Sequence, residues 1–143
     1  MKTIFVFFII IAINFVSCNH CRYDDCPMIQ FEYTLLNSEG NNLFTVENSN
    51  YKVGSVKVIW FREGKEIEGG NRVQGNIVFF EIMTDIDSVW VQYNENEHDV
   101  FIYKNLTFSK DKCCGLLVDN FNIELNGKEF CVECAYNVWT IEK

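Results

Sequence analysis

The chain of 143 residues has few prolines, few histidines and few basic residues: one Pro, two His, and 12 Lys and Arg against 20 Asp and Glu. With only eight glycines and 48% apolar residues, it is neither a disordered chain nor a collagen-like or low-complexity one. The formal net charge of -8 argues against a nucleic-acid-binding protein, because phosphate contacts need clustered Lys and Arg. The length is that of one ordinary domain.

A hydrophobic run long enough to span a bilayer is also absent from the sequence. The longest uninterrupted apolar run is Ile4 to Ile13, whereas a transmembrane helix needs roughly 20 such residues. Lys2 supplies the positive charge that precedes the apolar region of a secretory signal. We therefore predict a lipoprotein signal peptide over residues 1–17.

The end of this segment, Phe15-Val16-Ser17-Cys18, resembles a bacterial lipobox, in which the cysteine is lipidated and becomes the new N-terminus. Phe15 replaces the usual leucine, so cleavage just after Cys18 by an ordinary signal peptidase remains an alternative. We favour lipidation of Cys18, since Val16, Ser17 and Cys18 fit the motif. A cysteine that carries several acyl chains anchors a protein stably. The predicted partner is then a membrane, reached through a polar tether over residues 18–28, and the expected location is the cell envelope, at the outer membrane.

Cysteine parity fits an anchor. Seven cysteines are present, and removing Cys18 from the count leaves an even six, which suits disulfides in an exported chain. Spacing alone does not define the pairing. We expect the N-terminal pair to join the tether to the last strands, and a cysteine of the 113–114 pair to join the 131–134 segment. The disulfide candidates are Cys21, Cys26, Cys113, Cys114, Cys131 and Cys134.

The rest of the chain has the pattern of β-strands. From Met28 onward there is one alanine against twelve valines, so strand-forming residues dominate. Every second residue is apolar at Val56, Val58 and Trp60 and again at Val89, Val91 and Tyr93, which is typical of strands with one buried face. We predict an all-β fold, an antiparallel β-sandwich over 29–143, Ig-like or transthyretin-like, with about eight strands. These lie near 29–36, 42–46, 55–61, 73–82, 87–93, 99–103, 115–125, 128–134 and 136–142.

Asn126-Gly127 is the sharpest turn signal, because both residues tolerate the positive φ values of a two-residue hairpin turn. In simple register, this hairpin places Cys131 opposite Asn122 and Cys134 opposite Asp119. Neither partner is a cysteine, so we expect disulfides to leave the hairpin.

Three chemical alternatives are weaker. A zinc site would use the thiolates of four of the cysteines, although an exported location favours oxidation. A redox-active C-x-x-C motif would need a helix N-terminus that the strand context does not offer. A Ser/His/Asp arrangement would depend on His98, which a solvated hairpin loop explains better. The candidate zinc ligands are Cys113, Cys114, Cys131 and Cys134.

An acidic pair and a set of aromatic residues are better explained by structural roles than by binding sites. Asp85 and Asp87 are a partial calcium motif, but they lack the spacing of a calcium loop and suit strand entry. A carbohydrate-stacking platform is conceivable from four aromatic residues, although alternating aromatics usually belong to a core. These aromatic residues are Trp60, Phe61, Trp90 and Trp139.

Several short segments over residues 31–143 resemble small β-sandwich lipoproteins of Bacteroidota, a family with no established activity. The segments are Phe31-Glu32-Tyr33, Gly40-x-x-Leu43, Tyr51-x-x-x-x-Val56-Lys57-Val58, Asp85-Ile86-Asp87-Ser88-Val89, Asn126-Gly127-Lys128 and Thr140-Ile141-Glu142-Lys143. The additional cysteines depart from that family. The resemblance implies a location and a fold only, and Asp87-Ser88-Val89 looks like the O-glycosylation pattern of that phylum, which makes Ser88 a candidate glycosylation site.

These observations predict an exported, lipid-anchored, non-enzymatic module of the cell envelope that needs no cofactor or metal. Its partner is expected to be an envelope protein or a glycan. The alternative is an exported β domain that binds zinc through thiolates or binds carbohydrate.

Overall fold

The computed structural model describes residues 28–112, 114–135 and 137–143. The predicted signal peptide, nearly all of the tether and four of the cysteines lie outside these residues. These cysteines are Cys18, Cys21, Cys26 and Cys113. Met28–Ser109 and Val118–Lys143 together form one compact unit.

Ten strands account for most of the described residues, and no α-helix occurs among them. A single 3-10 turn covers Val53–Ser55. The strands are β1 Gln30–Leu36, β2 Lys57–Arg62, β3 Lys65–Gly70, β4 Val73–Gln74, β5 Ile77–Glu81, β6 Ser88–Asn94, β7 Glu97–Asp111, β8 Gly115–Leu125, β9 Lys128–Cys131 and β10 Val138–Glu142.

The strands form two sheets with the orders β10-β1-β5-β4 and β3-β2-β6-β7-β8-β9. Aromatic side chains from both sheets meet between them. Phe31 on β1 lies 5.8 Å from Phe101 on β7 and 6.4 Å from Phe121 on β8, measured between ring centroids. The predicted all-β sandwich is therefore confirmed, with ten strands rather than about eight.

Alternation along the strands places the core as predicted. On β6 the inward side chains are Val89, Val91 and Tyr93, all fully buried. On β2, Val58 is fully buried and Trp60 is 5% exposed. Period-two patterning thus predicted the inner face of the six-stranded sheet correctly.

One strand pair departs from the antiparallel prediction. β10 runs parallel to β1, with Glu32 opposite Val138 and Leu36 opposite Glu142. Parallel strands are joined by a long connection rather than by a tight turn, so no local turn signal predicts this pairing.

The strand predicted over 42–46 does not form. The Asn42 side chain accepts a hydrogen bond from the Phe44 N–H at 3.0 Å, and the Asn42 carbonyl accepts from the Thr45 N–H at 3.0 Å. These bonds fold the segment into turns, an alternative that asparagine offers the backbone. Only an isolated bridge between Leu36 and Asn42 remains.

β3 lies between the strands predicted over 55–61 and 73–82, where no strand was predicted. It pairs with β2 as an edge strand, and Trp60 faces Ile67 in the register. At Gly69 a Cβ atom would lie 1.6 Å from the Trp60 ring. Glycine at this position is what allows the buried indole to pack against the edge strand.

The other differences between the predicted and the observed strands lie at turns and strand ends. The segment predicted as one strand over 73–82 is divided at Gly75, which has φ +62, into the antiparallel pair β4 and β5. The strand predicted over 99–103 extends to Glu97–Asp111. The Asn126-Gly127 turn is confirmed by φ values of 52 and 78.

Candidate functional site

Three side chains form a line on the outer face of the six-stranded sheet, and we call them the aromatic row. Phe61, Trp90 and His98 come from the adjacent strands β2, β6 and β7. Ring centroids are 4.8 Å apart for Phe61 and Trp90, and 4.9 Å apart for Trp90 and His98. Trp90 remains 37% exposed, so a large apolar side chain is open to solvent near the middle of the sheet.

Strand alternation explains this position. Trp90 lies between the inward residues Val89 and Val91, and Phe61 follows the inward Trp60. Directly opposite Trp90 in the ladder are Ile59 on β2 and Val100 on β7. These neighbours on the same face extend the apolar surface around the row.

Charged pairs flank the row on both sides. Lys57 and Glu68 approach to 3.8 Å on the β2–β3 side, and Lys104 and Glu124 approach to 3.5 Å on the β7–β8 side. Exposed pairs of this kind add little to stability. The aromatic row therefore lies between two Lys–Glu pairs, and each pair has no net charge.

The ring orientations decide what the row can contact. The Trp90 and His98 planes differ by 14°, so the two rings stack face to face. Phe61 contacts the indole from the strand on the opposite side, because β2 and β7 flank β6. The indole therefore presents mainly its edge to solvent, whereas stacking of a sugar ring requires an open aromatic face.

The four aromatic residues considered as a carbohydrate platform are not brought together. Trp60 lies in the core, and Trp139 packs against Phe130 with a centroid distance of 5.7 Å. Only Phe61 and Trp90 share a surface.

A buried polar network lies on the inner side of the same strands. Asp99 is 1% exposed and accepts hydrogen bonds from the Tyr93 hydroxyl at 2.7 Å, the Asn126 amide at 2.8 Å and the Lys143 ammonium at 2.7 Å. Burial of a carboxylate is costly unless it is paired and hydrogen-bonded, and this one meets both conditions. Asp99 alternates with the buried Phe101 and Tyr103, a period-two signal that would have placed it inside.

The tyrosines of this network act as donors. Burial raises the pKa of Tyr33 and Tyr93 well above the usual value of 10.0. Because Tyr93 donates to Asp99, the 2.7 Å contact between the two hydroxyls must be donated by Tyr33. Partial burial, followed by a hydrogen bond to Glu97, also raises the pKa of Tyr51. These hydroxyls stay protonated at neutral pH.

The weaker alternative, a Ser/His/Asp arrangement around His98, gains no support from the adjacent acids. Its ring stacks on Trp90 on the outer face, while the adjacent Asp99 is buried on the inner face. The other neighbour, Glu97, accepts from the Tyr51 hydroxyl and pairs with Lys143 at 3.3 Å.

Cys131 and Cys134 form a disulfide with each other. The expectation that disulfides leave this segment was wrong, because the chain bends after β9 at Glu133, which has φ +56, and brings the Cα atoms of the two cysteines to 5.7 Å. A bulge also places Cys131 opposite Ile123 rather than Asn122. The expected link from the 113–114 pair to this segment was wrong as well. Cys114 is also disulfide-bonded, so at least three of the four candidate zinc ligands are oxidised and are not thiolate ligands.

Side chains of β8 hold the disulfide loop in place. The Asn122 side chain accepts from the Glu133 N–H at 3.0 Å, and the Asn120 side chain accepts from the Ala135 N–H at 3.2 Å. The Trp139 indole donates to the Cys134 carbonyl at 3.3 Å. Since both cysteines are also buried, the disulfide is a structural one.

The remaining predicted positions lie at the surface. Asp85 pairs with Arg62 at 2.7 Å, and Asp87 is exposed. Ser88 lies opposite Phe61 on the outer face and is half-buried. Across the described ranges, no three metal-ligating side chains cluster closely enough to hold an ion.

Comparison with known proteins gives no relatives: no family model, no curated protein and no solved structure matches the chain. Among residues 28–112, 114–135 and 137–143, no helix is long and apolar enough to cross a membrane. The fold and surface chemistry therefore define an all-β sandwich with a structural disulfide and an exposed aromatic row.

Proposed function

We propose that this protein is an exported lipoprotein whose β-sandwich serves as a non-catalytic interaction module of the cell envelope. The observation that carries the proposal is the sequence Phe15-Val16-Ser17-Cys18 directly after a signal-type apolar run. The Cys131–Cys134 disulfide supports export, because such bonds persist in oxidising compartments. A lipid on Cys18 would hold the domain at the outer membrane.

Replacing Cys18 with alanine is expected to abolish labelling by a radioactive fatty acid and to move the protein from the membrane fraction to the soluble fraction. The physical reason is that only the acyl chains anchor the domain. A Cys26→Ala variant, which leaves Cys18 in place, is the matched control and should keep both the label and the membrane location. Membrane retention of the Cys18→Ala variant would contradict the anchor.

The aromatic row is the surface that we assign to the partner. Exposed aromatic residues surrounded by a polar rim are typical of contact sites between proteins. The stacked faces of Trp90 and His98 favour a protein over a glycan, because the ring edges rather than the faces are available.

Photo-crosslinking tests this assignment in cells. Trp90 is replaced with the photoreactive residue benzoylphenylalanine in the full chain, and illumination is expected to give a discrete adduct larger than 16.8 kDa. The same residue at Glu39, an exposed turn position, should give none. A protease-sensitive adduct supports a protein partner. An adduct sensitive only to glycosidases, or no discrete adduct, would overturn the assignment.

A further inference from the structure

The Lys143 side chain reaches from one sheet to a buried carboxylate on the other. Lys143 directly follows β10 of the four-stranded sheet, whereas Asp99 lies on β7 of the six-stranded sheet. The Lys143 Nζ atom is 2.7 Å from Asp99 Oδ1, and the two side chains are 19% and 1% exposed. Nζ also lies 5.1 Å from the centroid of the Tyr93 ring. A nitrogen and a carboxyl group are thus held in contact at a place that is largely shielded from water.

Three further groups surround this pair in positions that suit acyl transfer. Glu97 Oε1 lies 3.3 Å from Nζ, where a carboxylate can accept a proton from the nitrogen. The Tyr93 hydroxyl donates to Asp99 Oδ2 at 2.7 Å, and such a donor stabilises an oxyanion that develops on that oxygen. The Asn126 amide donates to Oδ1 at 2.8 Å and fixes the orientation of the carboxyl group.

We propose that Asp99 and Lys143 condense after folding into an amide bond that links the two sheets covalently. The fold holds the reacting groups in contact, which replaces a bimolecular encounter by an intramolecular reaction. The amide also removes two charges from a site where their burial is costly. The inference goes beyond the proposed function and does not depend on the anchor, because all of the reacting groups lie within one compact unit of the sandwich.

The reaction starts from the ion pair and needs no oxidant, reductant or other co-reactant. One proton moves from Nζ to Oδ1 of Asp99, and the neutral amine attacks Cγ to form the C–N bond. Glu97 takes a second proton from the nitrogen and passes it to Oδ1, so the bond from Cγ to Oδ1 breaks and water leaves. The electron pair on Oδ2 then restores the carbonyl, and Glu97 is a carboxylate again. One ammonium and one carboxylate have become one amide and one water.

The bond secures an edge strand. β10 is the outermost strand of its sheet, and its only strand partner in the described chain is β1. Asp99 and Lys143 are 44 residues apart, so an amide between them closes a long loop of the chain. A covalent link of this kind restricts the unfolded chain and keeps β10 from detaching.

Intact-mass spectrometry of the purified mature protein tests the proposal. During incubation at neutral pH for two weeks, a species lighter by the mass of one water is expected to accumulate. Digestion of this species is expected to give a branched peptide that joins Asp99 to Lys143. Lys143→Arg is the matched control, because it keeps the positive charge beside Asp99 but replaces the amine, and it should lose no water.

A second pair of variants tests the role of Glu97. Glu97→Gln keeps the size of the side chain but removes the proton acceptor, and it is expected to slow the loss of water about 100-fold. Glu95→Gln changes an exposed glutamate in the same hairpin and should leave the rate unchanged.

Each outcome decides a point. A branched peptide in the wild type that is absent from Lys143→Arg supports the bond. Wild-type protein that keeps its full mass, or that loses water at another position, overturns it. Equal rates for Glu97→Gln and the wild type overturn the role of Glu97 as the base. Lipid labelling of Cys18 affects none of these measurements, so failure of the amide bond and failure of the proposed anchor are distinguishable.

Discussion

Asp99→Ala is expected to lower the free energy of unfolding by about 3–5 kcal/mol, the cost of breaking a buried ion pair by removing one partner. The variant leaves the Lys143 ammonium without its closest carboxylate, and it leaves the Tyr93 hydroxyl and the Asn126 amide without an acceptor. Urea unfolding followed by tryptophan fluorescence measures the change.

Asp87→Ala is the matched control, because Asp87 is an exposed aspartate on the segment before β6. Its expected effect is within about 0.5 kcal/mol of zero. If Asp99→Ala lowers the free energy of unfolding by less than about 1 kcal/mol, the network contributes little to stability. A double-mutant cycle with Lys143→Met then isolates the coupling between the two charges.

Phe31→Ala is expected to lower the free energy of unfolding by a similar amount, about 3–5 kcal/mol, because it leaves a cavity between the sheets. Phe31 is fully buried and its ring lies within 6.4 Å of the centroids of five other aromatic rings. Those rings come from both sheets, so little local collapse can fill the space. The measurement is again the unfolding free energy in urea.

Phe108→Ala removes the same side chain from a position that is 41% exposed. Because that side chain is only partly removed from water, its loss should lower the free energy of unfolding much less than the loss at Phe31. Equal effects at the two positions would contradict a core centred on Phe31.

Local patterns predicted much of the fold. Alternation placed Val89, Val91 and Tyr93 on the inner face, and the positive-φ preference of Asn126 and Gly127 located a hairpin. Such features depend on neighbouring residues alone, so they can be read along the chain.

Non-local features were the ones that sequence patterns did not predict. The strand β3 contains charges and glycines, and it forms because Gly69 accommodates Trp60 from the neighbouring strand. The parallel partner of β1 lies more than 100 residues further along the chain.

The candidate site was partly predictable. The aromatic residues Phe61 and Trp90 could be named, but the contacts of Trp90 with Phe61 and with His98 depend on the order of three strands. Asp99 was missed because its acidic neighbours suggested a solvated loop, while its cationic partner Lys143 is 44 residues away.

The parallel pairing of β1 with β10 has a consequence for the order of folding. β1 gains this neighbour, and Asp99 gains Lys143, only after the chain has been made as far as residue 143. Closing so long a loop costs entropy before the contacts are formed, and contacts between residues distant in sequence slow folding. A nascent chain that lacks β10 therefore retains an unpaired β1 edge, and the four-stranded sheet is completed only after β10 has been synthesised.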